Sequence, residues 1–204
     1  MFGITSNCII FFCASHYCLC NYTEKLEELK IIPDIIPVPP SQLCRFAYYI
    51  GKSWKEIKSG ESLLYTDLKY RPKLKWPASE DTFYTLYMTG ISFVDRKRFQ
   101  QEFEELANIE ITEPILTRHK ECWTVINIPG NNIKLGEELF AYKPVLIDMF
   151  NVTEYLIFLV YNQTRKYHRM EPKERYPRSP SVKELTQKYR LGNAWAGNFF
   201  IVNT

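Results

Sequence analysis

With 204 residues, 46% hydrophobic and 15% aromatic, the chain can build one domain with a substantial core and is too apolar for a disordered chain. Its 26 basic and 23 acidic residues nearly cancel to a formal charge of +3, so charge alone gives no reason to expect a nucleic-acid partner. No apolar run reaches the roughly 18 residues that a helix needs to span a bilayer.

The first twenty residues differ from the rest. Cys8-Ile9-Ile10-Phe11-Phe12-Cys13-Ala14 is a short apolar block, followed by Cys18-Leu19-Cys20 and polar Asn21. Residues 1–20 read as a signal peptide or a disordered leader ahead of a single domain over residues 21–204. Secretion is the favoured reading and a cytoplasmic extension the alternative, because no Lys or Arg precedes the block and His16 interrupts its tail. Attachment to a membrane through acylated cysteine stays open. Four of the six cysteines lie here; with His16 they lack a standard ligand spacing, so no metal site is expected. Cys44 and Cys122 remain, and they can bridge only if the fold brings them together. Sequons at Asn21, Asn151 and Asn162 would matter only after secretion.

From Pro33 the chain reads as short strands separated by turn residues. Pro33, Pro37, Pro39 and Pro40 predict an extended lead-in, since proline and the residue before it avoid helix. Strands are predicted over 43–50, 73–76, 82–88, 122–128 and 156–161, the last two nearly continuous in apolar residues and therefore central. Residues 96–107 place Phe99, Phe103, Leu106 and Ala107 on one helical stripe. Ser181-Val182-Lys183-Glu184 has the capping-box form and predicts a helix to Tyr189, stopping before Gly192. Between these, residues 165–178 form a basic stretch with the composition of a solvated loop. Several strands with few helices give a mainly β sandwich.

A catalytic centre is not predicted, and no cofactor is implied. There is no Gly-x-Ser-x-Gly elbow, and Gly51-Lys52-Ser53 has Phe46 where a phosphate-binding loop needs its leading glycine. His119 and Cys122 are close in sequence, but a loop-to-strand junction would make their side chains diverge.

Several motifs occur in a recognisable order: Tyr84-Thr85-Leu86-Tyr87-Met88-Thr89, then Trp123-Thr124-Val125-Ile126 running into Asn127-Ile128-Pro129-Gly130, then Gly136-Glu137-Glu138-Leu139. Phe158-Leu159-Val160-Tyr161-Asn162-Gln163 and Ala196-Gly197-Asn198-Phe199-Phe200 complete the set. Over residues 32–200 the chain resembles the phosphatidylethanolamine-binding protein family, also called Raf kinase inhibitor proteins. The resemblance implies an antiparallel β-sandwich with a few peripheral helices, a small polar pocket for anionic groups, and a protein partner of the kinase or protease class.

The family's ligand residues do not carry over. Its Asp-Pro-Asp-x-Pro run falls on Gly90-Ile91-Ser92-Phe93-Val94, its pocket His on Cys122, and its His-Arg pair on Glu154-Tyr155. The pocket positions of this chain are thus Gly90, Ser92, Cys122, Glu154 and Tyr155. An anion site needs N–H donors or positive charge. Here imidazole has become thiol, guanidinium has become phenol, and Glu154 adds a negative charge. Binding of phospholipid headgroups is therefore expected to be weak or lost. The apolar segment over residues 145–150 is expected to fill or cover the pocket, and the extra length around 96–107 to pack on the core or lie across its mouth. Two functions follow. The first is a non-enzymatic module that modulates a partner protein, and the alternative is a carrier of a lipid or small hydrophobic ligand in a remodelled pocket.

Overall fold

The computed structural model describes residues 22–95, 115–144, 153–168 and 179–203. Residues 22–28 are helical (α1). The strands follow as β1 (Gln42–Leu43), β2 (Arg45–Ile50), β3 (Ser53–Ile57), β4 (Ser62–Leu64), β5 (Lys73–Lys75), β6 (Phe83–Asp95), β7 (Ile115–Pro129), β8 (Glu137–Phe140) and β9 (Glu154–Gln163). Helix α2 (Val182–Lys188) and the last strand, β10 (Ala196–Asn203), close the fold. A seven-stranded sheet runs β1-β10-β9-β6-β7-β8 with β4 also on β10, and a three-stranded sheet runs β3-β2-β5. Pairing is antiparallel except where β1 and β4 run parallel to β10. This is the mainly β architecture that the sequence predicts.

Strand alternation splits the core in two. Leu156, Phe158 and Val160 of β9 face one side with Leu86, Met88, Trp123 and Phe200, where Phe46 and Tyr48 of the small sheet close over them. Ile157, Leu159 and Tyr161 face the other side with Tyr87, Ile91 and Phe199, where α1 and α2 supply Tyr22, Leu26, Val182 and Leu185. Both faces of the large sheet are thus covered, which is why β9 reads as an unbroken apolar run although its neighbours are antiparallel.

Helix α2 starts as the capping box requires. The Glu184 N–H donates to Ser181 Oγ at 3.2 Å, and the Ser181 N–H donates to the Glu184 carboxylate at 2.7 Å. At the other end, α1 is keyed to β10 by Gly197. A Cβ there would fall 2.6 Å from Pro40 Cγ and 2.9 Å from the Tyr22 hydroxyl, so only glycine admits this approach.

Four predictions need correction. The lead-in does not stay extended: residues 32–35 turn, and the N–H groups of Ile35 and Ile36 both donate to the Ile31 carbonyl, burying all three isoleucines. Burial of that apolar trio outweighs the proline preference. β7 begins at Ile115, so His119 lies inside a strand rather than in a loop. β6 likewise continues past Met88 to Asp95, through the positions on which the family's Asp-Pro-Asp-x-Pro run falls. Finally, β3, β4, β8 and β10 were not predicted as strands at all. The stripe over 96–107 and the segment over 145–150 lie outside the described residues, as does most of the basic stretch.

Candidate functional site

β7 is irregular twice, and both irregularities sit on motif residues. Against β6, Tyr84 pairs with Ile128 and Leu86 with Val125, so β7 carries an extra residue around Asn127. Asn127 takes φ +56, a left-handed conformation that asparagine tolerates better than most residues. Gln163 on β9 locks it. The Asn127 N–H donates to Gln163 Oε1 at 2.7 Å, and Gln163 Nε2 donates to Asn127 Oδ1 at 2.9 Å. Asn127 Nδ2 donates to Glu137 and to the Tyr167 carbonyl, and the Tyr167 N–H donates back to Asn127 Oδ1 at 2.8 Å. Every polar atom of the Asn127 side chain is engaged, so Asn127-Ile128-Pro129-Gly130 is a structural device that ties β7, β9 and the loop beyond β9 together.

The second bulge is at Cys122. Met88 pairs with Trp123 and Thr89 with Glu121, leaving Cys122 as the extra residue. Its side chain turns into the core shared with Met88 and Trp123. The register then sets Gly90 between Lys120 and Leu156, and Ser92 between Arg118 and Glu154, all on one sheet face. The register thus brings Gly90, Ser92, Cys122 and Glu154 to one face. Tyr155 does not join them. It alternates to the opposite face, where its ring packs 6.1 Å from that of Phe93.

Glu154 fills the corner. A Cβ on Gly90 would lie only 2.1 Å from Glu154 Oε1, so the carboxylate rests directly on the glycine backbone. Glu154 and Ser92 are both buried. Burial, and after it the charge of Glu154, pushes the Cys122 thiol up to about 12, although the Gly90 backbone and Lys120 pull it down. A thiol held neutral in this way is no nucleophile at physiological pH.

Two contributors escaped the sequence reading. Lys120 shares the Cys122 face, a placement that period-2 counting would have shown had β7 been predicted to start earlier. Tyr142 closes the corner from the other side. Its ring meets Trp123 edge-on at 6.0 Å, its hydroxyl donates to the Leu68 carbonyl at 2.6 Å, and the following N–H of Lys143 donates to the Cys122 carbonyl at 2.8 Å. Burial pushes the Tyr142 hydroxyl up to about 12. Among the described residues no cluster of three or more His, Cys, Asp or Glu could hold a metal ion. Nor is any helix among them long and apolar enough to cross a membrane.

Comparison with known proteins agrees with this geometry. No protein-family model matches the chain. Among curated proteins it is 30% identical over 186 residues to "Putative odorant-binding protein A5" of Drosophila melanogaster, covering 88% of this chain and 79% of that protein. It is 26% identical over 177 residues to the "26 kDa secreted antigen" of Toxocara canis, where it spans 83% of its own length but only 60% of the antigen. In fold it is similar to a carboxypeptidase Y inhibitor solved with its cognate proteinase, at a TM-score of 0.64 and 15% identity, covering 91% of this chain and 96% of that one. It is also similar to a phosphatidylethanolamine-binding protein from Plasmodium vivax, at a TM-score of 0.59 and 18% identity, covering 89% and 96%. The locked Asn127 bulge, the ordered motifs around it and these relatives agree: the chain belongs to the phosphatidylethanolamine-binding protein family, as a divergent member.

Proposed function

We propose that the protein is a non-enzymatic binding module that modulates a partner protein of the kinase or protease class, with the family's anion pocket occupied by its own side chain. One observation carries the reading: the Glu154 carboxylate lies against the Gly90 backbone, beside the neutral Cys122 thiol and on the face that holds Lys120. A ligand anion would have to displace a carboxylate of like charge, at a cost that its own contacts must exceed. Calorimetric titration with phosphoethanolamine and O-phosphoserine tests this. No saturable binding is expected, and one-to-one binding at micromolar concentration would show that the pocket works. The carboxypeptidase inhibitor of similar fold supports a protease partner. Inhibition assays over a panel of proteases and kinases address that part directly.

A second reading, a carrier of a lipid or small hydrophobic ligand, is favoured by the relative named for odorant binding. Native mass spectrometry of the purified protein reads it out as co-purifying lipid. The relative named as a secreted antigen supports secretion and removal of residues 1–20, leaving a single domain over 21–204. N-terminal sequencing of the natural protein decides that point.

A further inference from the structure

Away from the Glu154 corner, a cleft of about 950 Å³ runs along β5 between the small sheet and the turn after β7. That size lies at the upper end of the roughly 300–1,000 Å³ typical of small-molecule sites. Its apolar lining comes from Phe46, Leu74, Trp123, Val125 and Ile133 on the core side and, round the β5 edge on the outer face of the small sheet, from the half-exposed Trp54. Its charged lining comprises Arg45, Arg71, Lys73, Lys75 and Lys134 against only Glu56 and Glu138.

The two carboxylates are already engaged. Arg45 grips Glu56 with two bonds of 2.6 Å. Arg71 and the Trp123 indole N–H both donate to Glu138 Oε2, at 2.9 and 2.8 Å. Neither acid of the lining is thus left over for Lys73, Lys75 or Lys134, and the cleft keeps an excess of three positive charges. Lys73 sits 4.1 Å above the Trp54 ring, which fixes an ammonium next to an aromatic wall. Among the described residues β5 pairs with a strand on one side only.

We infer that this cleft binds an amphiphilic anion, an apolar body laid against Leu74 and Ile133 with its carboxylate turned round the β5 edge to Lys73 beside Trp54 and toward Lys134. The inference rests on the carrier reading and gives it a place and a ligand class. Ionic attraction alone at exposed lysines is weak, so affinity comes from burying the apolar body, and the lysines select the charged head.

The test is a titration of the full chain with laurate, followed by calorimetry and by tryptophan fluorescence. Dodecanol (body without charge) and inorganic phosphate (charge without body) serve as controls. Saturable laurate binding is expected at micromolar concentration, with dodecanol about tenfold weaker and phosphate not saturating. The exposed pair Lys73→Glu/Lys134→Glu should weaken laurate about tenfold without moving the melting temperature. Trp54→Phe should remove most of the fluorescence change while binding persists. Equal affinity for laurate and dodecanol would overturn the inference, leaving the lysines only as guards of an exposed strand edge. Laurate binding indifferent to the lysine pair would place the ligand elsewhere, overturning the site but not the carrier reading. Absence of laurate binding would overturn the inference as well, and lipid in the native mass spectrum judges the carrier reading separately.

Discussion

The two bulges of β7 are the same backbone device put to different ends. At Asn127 the extra residue is held by a closed set of hydrogen bonds to Gln163, Glu137 and Tyr167, and its family motif is intact. At Cys122 the extra residue is a thiol turned into the core, beside Gly90 and the buried Glu154. The first bulge shapes the sheet whatever ligand the protein takes. The second only presents side chains, so its chemistry can change while the backbone stays. On the proposed reading, scaffold and site occupy different bulges of one strand.

Substitutions at the two bulges test that separation. The largest effect is expected at Asn127. Asn127→Ala removes one of the two acceptors of Gln163 Nε2 and the acceptor of the Tyr167 N–H and leaves alanine at positive φ, for a loss of about 3 kcal/mol in denaturant unfolding. A loss below about 1 kcal/mol would mean that the network is not what holds the bulge. At the other bulge, Glu154→Gln should raise affinity for phosphoethanolamine about tenfold by removing the competing charge near Lys120. No gain would show that the pocket is blocked sterically rather than electrostatically. Cys122→Ala should cost only about 1 kcal/mol, against the larger loss at Asn127.

Alkaline pH sharpens the same contrast. Cys44 and Cys122 both rise from 9.0 to about 12 on burial, so between those values the folded state binds protons that the unfolded state has released. Their stabilisation is complete below pH 9 and is lost as pH approaches 12; denaturation midpoints should fall across this window. Buried Tyr22, Tyr48 and Tyr161 are shifted upward too and act in the same direction. The Cys122→Ala variant should show a shallower fall. At neutral pH neither thiol should react with iodoacetamide until the protein unfolds.

Much of the scaffold was legible because it is written in burial. The apolar runs of β7 and β9 and the Ser181–Glu184 capping box all came through, since pattern and local bonding specify them. β3 was not legible. Four of its five residues are exposed, so tertiary pairing with β2 forms it without an apolar signal. β8 carries no fully buried residue, and β4 has only three residues. At the site, the motif positions brought Gly90, Ser92, Cys122 and Glu154 to one face because strand register preserves them. Tyr155, grouped with Glu154 in the sequence reading, lies on the other face. Adjacent residues of a strand point to opposite faces, and a motif read as a string conceals that. Lys120 escaped because β7 was predicted to start only at residue 122, and Tyr142 because a returning loop, not local sequence, places it.

Cys44 and Cys122 are both buried as free thiols, in the core between the two sheets. The described domain therefore draws none of its stability from oxidation. It should melt at the same temperature with or without reductant, and its folding needs neither an oxidase nor a disulfide isomerase. Whichever compartment holds it, this sandwich is indifferent to the redox potential it meets.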